Sequence, residues 1–441
     1  MQKLRSNCAV SKYAARTLRA VLVITLAAIS GQPCSGYSVL THEQIIDMRW
    51  KDQIQPLLLQ RFPQATEADL KKAHAFAYGG SVVQDMGYYP FGSHFFSDLA
   101  HYVRTGDFVQ ALIDDSTDLN EYAFALGALS HYASDVSGHP TINRVVAIEF
   151  PKLQKKFGPE VTYADDPKAH IRTEFGFDMV QVAKNRYTSD QYHDFIGFEI
   201  SKPLLERAFN DTYSLMLSDV NGNVDLSIGT FRRAISQVIP EMTRVALLSR
   251  KKEIVRDTPN FSEKKFLYYL SRAQYNKEWG SVYRKPGTGT RILAFFLRII
   301  PKRGPFRAVD FKIPSTKSED MYIKSVDKTV EEYDRLLREA RDHSLHLPEV
   351  DFDTGRPTRP GEYLLADKTY EKLLNELATR NFEHLTPGLR DNILSYYANL
   401  NAPIHTKKNK KAWERTVAEL QRLKATAVQS AGASAPGATI H

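Results

Sequence analysis

The 441-residue chain predicts a mostly α-helical protein. Three observations carry that expectation. Apolar residues recur at intervals of three and four through HEQIIDMRWKDQIQPLLLQRF, EADLKKAHAFAYGGSVVQD, LNEYAFALGALSHYASD and ISKPLLERAFNDTYSLMLSDV, the period of a helix with a buried face. Stretches that alternate apolar and polar residues, as strands do, are scarce. EYAFALGALSHYASD is rich in Ala and Gly, which suits a central helix that others approach closely and that carries His131 and Asp135 at its end.

Residues 1–19 hold Lys3, Arg5, Lys12, Arg16 and Arg19 with no acid, and AVLVITLAAIS follows as an apolar run of signal-peptide length. The run is too short to cross a membrane. Small residues in PCSG permit cleavage after Gly36, so residues 1–36 are expected to be a signal peptide and the protein to be exported, periplasmic or secreted. Cys8 and Cys34 both fall in this leader, which leaves the mature chain without a disulfide; a domain of this size buries enough core without one.

Charge divides the remainder. Residues 37–250 carry 20 basic and 27 acidic side chains, whereas 251–441 carry 34 and 24. The expected organisation is a catalytic domain over 37–250, a basic helical extension over 251–425 and a disordered, low-complexity tail over 426–441. In the first domain, GYYPFGS is a loop bounded by Asp85 and His94. In the extension, ILAFFLRII is flanked by Arg284, Lys285, Arg291, Lys302, Arg303 and Arg307. The segment 284–307 suits either contact with an anionic membrane interface or a buried helix that docks the two halves. SEDMYIKSVDKTVEEYDRLLREARD reads as a scaffold helix, HLPEVDFDTGRPTRPGEYLL as a long loop, and Lys407–Lys411 as solvated surface rather than a nucleic-acid site.

Chemistry concentrates in the first domain. His131 and Asp135 stand four apart, as do His170 and Glu174, so on helices each pair presents two metal-type ligands on one face. A single such pair reads first as a surface ion pair. Two pairs within forty residues, with His139 between them and His42, Asp85 and His94 upstream, make eight candidate ligands. One zinc takes three or four protein ligands, so eight suit about two or three ions with a carboxylate bridging. His101 reads as a packing or supporting residue, Asp178 as a group that orients His170 or another ligand, and His74 and His193 as ordinary helix residues. Tyr88, Tyr89, Phe91, Phe95 and Phe96 read as packing around the site before they read as a substrate cleft.

In this order of His, Asp, SHF, HYxxD, His and HxxxE, residues from roughly Tyr37 to Arg250 resemble the zinc-dependent phospholipase C family. Its wider superfamily includes S1/P1-type nucleases and the catalytic domain of glycosylphosphatidylinositol-specific phospholipase D. The resemblance implies a multi-helix fold of that kind. It implies one zinc among Asp85, His94, His131 and Asp135, a second among His139, His170 and Glu174, and a third at His42 with Asp135 bridging. The backbone amine and carbonyl of the mature N-terminal residue, here Tyr37, would complete the third site; the alternative is that Tyr37 only begins the first helix. The short spacing from Asp135 to His139 looks more like the phospholipase D branch.

The activity so implied is zinc-dependent phosphodiester hydrolysis, most concretely a phospholipase C acting on glycerophospholipids through activated water, with Asp85 as ligand and general base. The alternatives are an S1/P1-like nuclease and a non-catalytic zinc- and lipid-binding surface protein. No nucleotide-stacking motif is evident, and the basic charge confined to the second half is weak support for nucleic acid.

Overall fold

A computed structural model describes residues 37–183, 197–239 and 311–426. The leader 1–36, His193, the segment 284–307 and residues 427–441 lie outside the described residues. Among the described residues the chain is helical apart from one small hairpin. The helices are α1 (Val39–Arg49), α2 (Gln55–Arg61), α3 (Glu67–Gly80), α4 (His94–Tyr102), α5 (Thr105–Asp114), α6 (Leu119–Glu149), α7 (Pro151–Phe157) and α8 (Pro167–Ala183). They continue with α9 (Lys202–Tyr213), α10 (Leu217–Asn221), α11 (Val224–Arg233), α12 (Thr316–Arg341), α13 (Leu364–Thr379), α14 (Pro387–Tyr396) and α15 (Lys410–Ala425).

Helix α6 organises the rest. Asp118 starts it by accepting from the backbone N–H groups of Asn120 and Glu121, which would otherwise lack partners. Beyond its first turn nearly every residue to Ala147 is buried, and the partly exposed stripe is confined to Val136, Pro140 and Arg144 at successive turns. α3 and α12 pack along it, joined by α5 and α8. The approach of α3 is close because both helices put glycine at the contact. A Cβ on Gly80 would lie 1.9 Å from the Phe124 carbonyl oxygen, and one on Gly127 would lie 2.1 Å from that of Ala77.

The expected helix end near Asp135 is not where α6 stops. It runs on to Glu149 with Pro140 inside, so His131, Asp135 and His139 lie on one face at successive turns. The segment from Lys202 to Val220 departs the other way: Ser214 adopts a left-handed φ of 54° and breaks the periodic run into α9 and α10.

Residues 311–426, expected as part of an extension beyond residue 250, share one buried core with residues 37–239. Tyr322, Tyr333 and Leu336 of α12 are buried, and the Tyr333 hydroxyl donates to the Leu126 carbonyl of α6 at 2.9 Å. The expected long loop contains an antiparallel hairpin, β1 (Val350–Asp351) with β2 (Arg356–Pro357), whose turn holds Phe352 and Asp353. Four bonds tie it to the helices. The Phe352 N–H donates to the His101 carbonyl at 3.0 Å, Asn143 Nδ2 donates to the Asp353 carbonyl at 2.8 Å, and Glu349 accepts from the Gly106 and Asp107 N–H groups at the start of α5.

Gly127→Ala should destabilise the protein by about 1–3 kcal/mol, because the added methyl must push α3 away from α6. A guanidinium unfolding midpoint equal to wild type would show that the glycine contact is dispensable.

Burial raises the Glu349 carboxyl from 4.5 to about 7. The folded state thus keeps a proton that the unfolded state releases, so this group's stabilisation is full below pH 4.5 and is lost as pH rises through 7. Glu349→Gln, which cannot ionise, should flatten that part of a melting-temperature profile; an unaltered slope would dismiss this account of the hairpin's anchor.

Candidate metal centre

Six separate segments deliver the site. His42 comes from α1, whose N-terminus Asp178 of α8 holds by accepting from Leu40 N at 3.0 Å and Thr41 Oγ1 at 2.7 Å. Asp178 therefore orients the helix that carries His42, the second of the two alternatives expected of it. Asp85 sits in a 3-10 turn, Val83–Tyr88, that follows α3. Ser97 locks that turn to α4, donating to the Gln84 carbonyl at 2.5 Å and accepting from Gly87 N at 2.9 Å. His101 ends α4, α6 presents His131, Asp135 and His139, α8 presents His170 and Glu174, and the hairpin turn supplies Asp353.

Asp135 is the hub. Its Oδ1 lies 3.6 Å from His42 Nε2, while its Oδ2 lies 3.2 Å from His131 Nε2, 3.5 Å from His101 Nε2 and 3.6 Å from His139 Nε2. Around it are three sets of ligand atoms, each mutually within 4.8 Å: His42 with His131 and Asp135, Asp85 with His101 and His131, and His139 with His170 and Glu174. All of these side chains are buried.

The histidine tautomers reveal what the sets are built for. His101 Nδ1 lies 2.7 Å from the Ser97 carbonyl and His131 Nδ1 lies 2.9 Å from the Ser81 carbonyl. A carbonyl only accepts, so each Nδ1 carries a hydrogen, and in its neutral form each ring turns a bare Nε2 toward the carboxylates. Neither Nε2 makes a hydrogen bond, and Asp85 Oδ1, 3.4 Å from His101 Nε2, makes none either. His170 gives Nε2–H to the Val161 carbonyl at 2.6 Å, and its Nδ1 meets Glu174 Oε1 in a 3.3 Å hydrogen bond, which the carboxyl donates when protonated. Between the neutral rings of His101 and His131 and ionised carboxylates, lone pairs face lone pairs and repel unless a cation stands among them. Two ligand atoms on one tetrahedral zinc are roughly 3.4 Å apart, so the spacing fits.

Protons reconcile the charges only in part. Burial, with His131 nearby, depresses His42 to about 3, and burial with His139 depresses His170 to about 4. Burial works against charge on His139 and His101 too, yet Asp135 with Asp353 and Glu174 lifts His139 to about 9, and Asp135 with Asp85 lifts His101 well above its usual range. Burial raises Asp85 and Glu174, whereas Asp135 is held well below the carboxylate range, the cost of its burial outweighed by His131, His101 and His139. A divalent cation would satisfy the carboxylates and the neutral imidazoles together.

The expected site residues do not all arrive. His94 is exposed at the first position of α4, its ring 5.4 Å from that of Tyr88. Seven residues of helix separate it from His101 by about 10.5 Å along the axis. His101, read as packing from the sequence, is therefore the histidine beside Asp85 and His131, and the assignment of His94 is corrected. Tyr37 is buried next to His42, with ring centroids 6.2 Å apart, and its hydroxyl donates to Ser325 Oγ at 2.8 Å. A Cβ on Gly138 would lie 2.7 Å from the Tyr37 ring, so α6 makes room for it. Sequence reasoning missed Asp353 and Phe352, whose ring sits 5.3 Å from His101 and 6.1 Å from His131. The one signal was the alternation of Glu349, Asp351 and Asp353, which an extended strand would place on one face.

A family model described as zinc dependent phospholipase C matches residues 41–223. Over these residues, which make up less than half of the chain, it is similar to the zinc-dependent phospholipase C family. The matched stretch includes His42, Asp85, His101, His131, Asp135, His139, His170 and Glu174, and it ends well before Asp353. No curated protein and no solved structure matches the chain. Its mostly α architecture agrees with the phospholipase C fold.

If the geometry assigns the ligands, His101→Ala should lose one zinc ion and His94→Ala none, while Asp135→Asn, which alters the hub, should lose at least one ion and about a hundredfold or more of activity. Metal analysis of the three purified variants checks this. Zinc loss on His94→Ala with none on His101→Ala would reverse the assignment.

Proposed function

We propose that the protein is an exported, zinc-dependent phosphodiester hydrolase that acts as a phospholipase C on glycerophospholipids. The observation that carries the metal part is the pair of backbone-fixed imidazoles, His101 and His131, that turn bare nitrogens toward Asp85 and Asp135. The similarity of residues 41–223 to the zinc-dependent phospholipase C family supports the phosphodiester and the lipid. About two or three ions would be held by the three sets: His42 with Asp135 bridging, Asp85 with His101, His131 and Asp135, and His139 with His170 and Glu174.

Zinc in such sets supplies a Lewis acid for phosphate oxygens and lowers the pKa of water toward 7. The chain's own work is positioning and proton handling. Asp85 is a buried carboxylate whose Oδ1 makes no hydrogen bond, and burial raises its carboxyl toward the working range of a general base. In this reading it accepts the proton of the attacking water as well as binding metal. No Ser, Cys or His nucleophile is needed. Attack on phosphorus with departure of the glycerol oxygen releases diacylglycerol and a phosphorylated head group.

Two further parts of the reading concern the ends of the machinery. Cleavage after Gly36 would leave Tyr37 with a free amine, and its burial beside His42 supports that amine and the Tyr37 carbonyl as ligands of the His42 ion. The basic apolar segment 284–307 would hold the enzyme on an anionic membrane surface.

The test is turnover of zinc-loaded mature protein on phosphatidylcholine vesicles and, in parallel, on single-stranded DNA. Diacylglycerol and phosphocholine from the vesicles, with intact DNA, is the expected result. DNA cleavage with intact lipid would establish the nuclease alternative, and full zinc without turnover on either would establish a binding protein.

A further inference from the structure

Asp353 lies outside the matched family segment, yet its carboxylate reaches the buried histidines. It is fully buried. Its Oδ2 accepts hydrogen bonds from the Tyr102 hydroxyl at 2.8 Å and from the Tyr363 hydroxyl, and its carbonyl accepts from Asn143 of α6. The two hydroxyls fix the side chain and Asn143 its backbone, which leaves Oδ1 3.7 Å from His139 Nε2.

Which ring nitrogen it faces decides its role. A carboxylate that only orients a metal-bound histidine binds the nitrogen remote from the metal. Asp353 instead faces Nε2, the same nitrogen that stands 3.6 Å from the hub oxygen Asp135 Oδ2. Neither nitrogen of His139 makes a hydrogen bond, so the 3.7 Å approach is not an imidazole-to-carboxylate bond. Its length is near the roughly 3.4 Å separation of two ligands on one zinc. Asp351, two residues earlier, is accounted for differently: it accepts from the Thr354 N–H and hydroxyl and closes the hairpin turn.

We propose that Asp353 is a fourth protein ligand of the ion held by His139, His170 and Glu174, so that the C-terminal part of the chain completes the metal centre. The proposal rests on the zinc reading above and adds a ligand that the matched segment does not contain. It has a consequence for chemistry. With four protein ligands this ion is closed, as structural zinc sites are, unless substrate displaces Asp353 or the ion takes a fifth ligand.

The experiment uses the full chain and has readouts independent of turnover. Zinc content and chelator competition are measured for wild type and Asp353→Asn, and cobalt-loaded Asp353→Cys is examined for a thiolate-to-cobalt charge-transfer band. Cys8 and Cys34 are present in both chains, so wild type is the blank. Asp353→Asn is expected to lose one ion, or to hold it about 10–100-fold more weakly, and Asp353→Cys to show a band that wild type lacks. An unchanged zinc content and affinity in Asp353→Asn together with no new band in Asp353→Cys would overturn the assignment alone. Wild type that binds no zinc would overturn the metal reading beneath it as well. Should Asp353→Asn fail to fold, the band in Asp353→Cys decides by itself.

Discussion

A single buried carboxylate, Asp135, stands against four histidines, and the fold has to pay for that arrangement. One acid cannot neutralise four imidazoles, and the neutral rings of His101 and His131 can turn lone pairs on it at 3.2–3.5 Å only with a positive charge between them. Backbone carbonyls at Ser81 and Ser97 settle the question for His131 and His101 by taking their Nδ1 hydrogens. What remains is a cage of acceptors whose natural occupant is a divalent cation.

The supporting structure follows from that cage. α6 carries the hub and two of its histidines on one face, and for that face to be dry on all sides α3, α8 and α12 must close around it. The glycine contact between α3 and α6 brings the turn bearing Asp85 down to the site, and Ser97 ties this turn to the helix bearing His101. The Asp178 cap performs the corresponding task for His42. Rigid helices and side-chain latches thus position ligands from distant parts of the chain, which is what a polynuclear site requires before any metal binds.

The C-terminal residues are part of this enclosure. Phe352 covers the rings of His101 and His131, and the surrounding hairpin is pinned to α4, α5 and α6 by hydrogen bonds. Removing water from the ligand cage strengthens each charge interaction within it, and a buried aromatic face does so without adding a competing hydrogen-bonding group. The family segment and the residues after 311 are therefore mechanically one body at the site.

By itself the sequence determined the helical class, the central Ala- and Gly-rich helix, and most of the candidate ligands that the fold gathers, because helical periodicity and i,i+4 spacing are local properties that one segment can display. His131 with Asp135 and His170 with Glu174 could be read in this way, and the order of the remaining ligands led to the family. Tertiary structure alone decided between His94 and His101. Both lie on one side of α4, and only the position of the Asp85 turn shows which end of that helix meets the cage. It alone continued α6 through Pro140, since packing can compensate for a missing backbone donor that sequence rules count as a break. It alone brought Asp353 to His139 across 214 positions of sequence, a contact of the folded chain with no local signature beyond an alternation of acids that any exposed loop could carry.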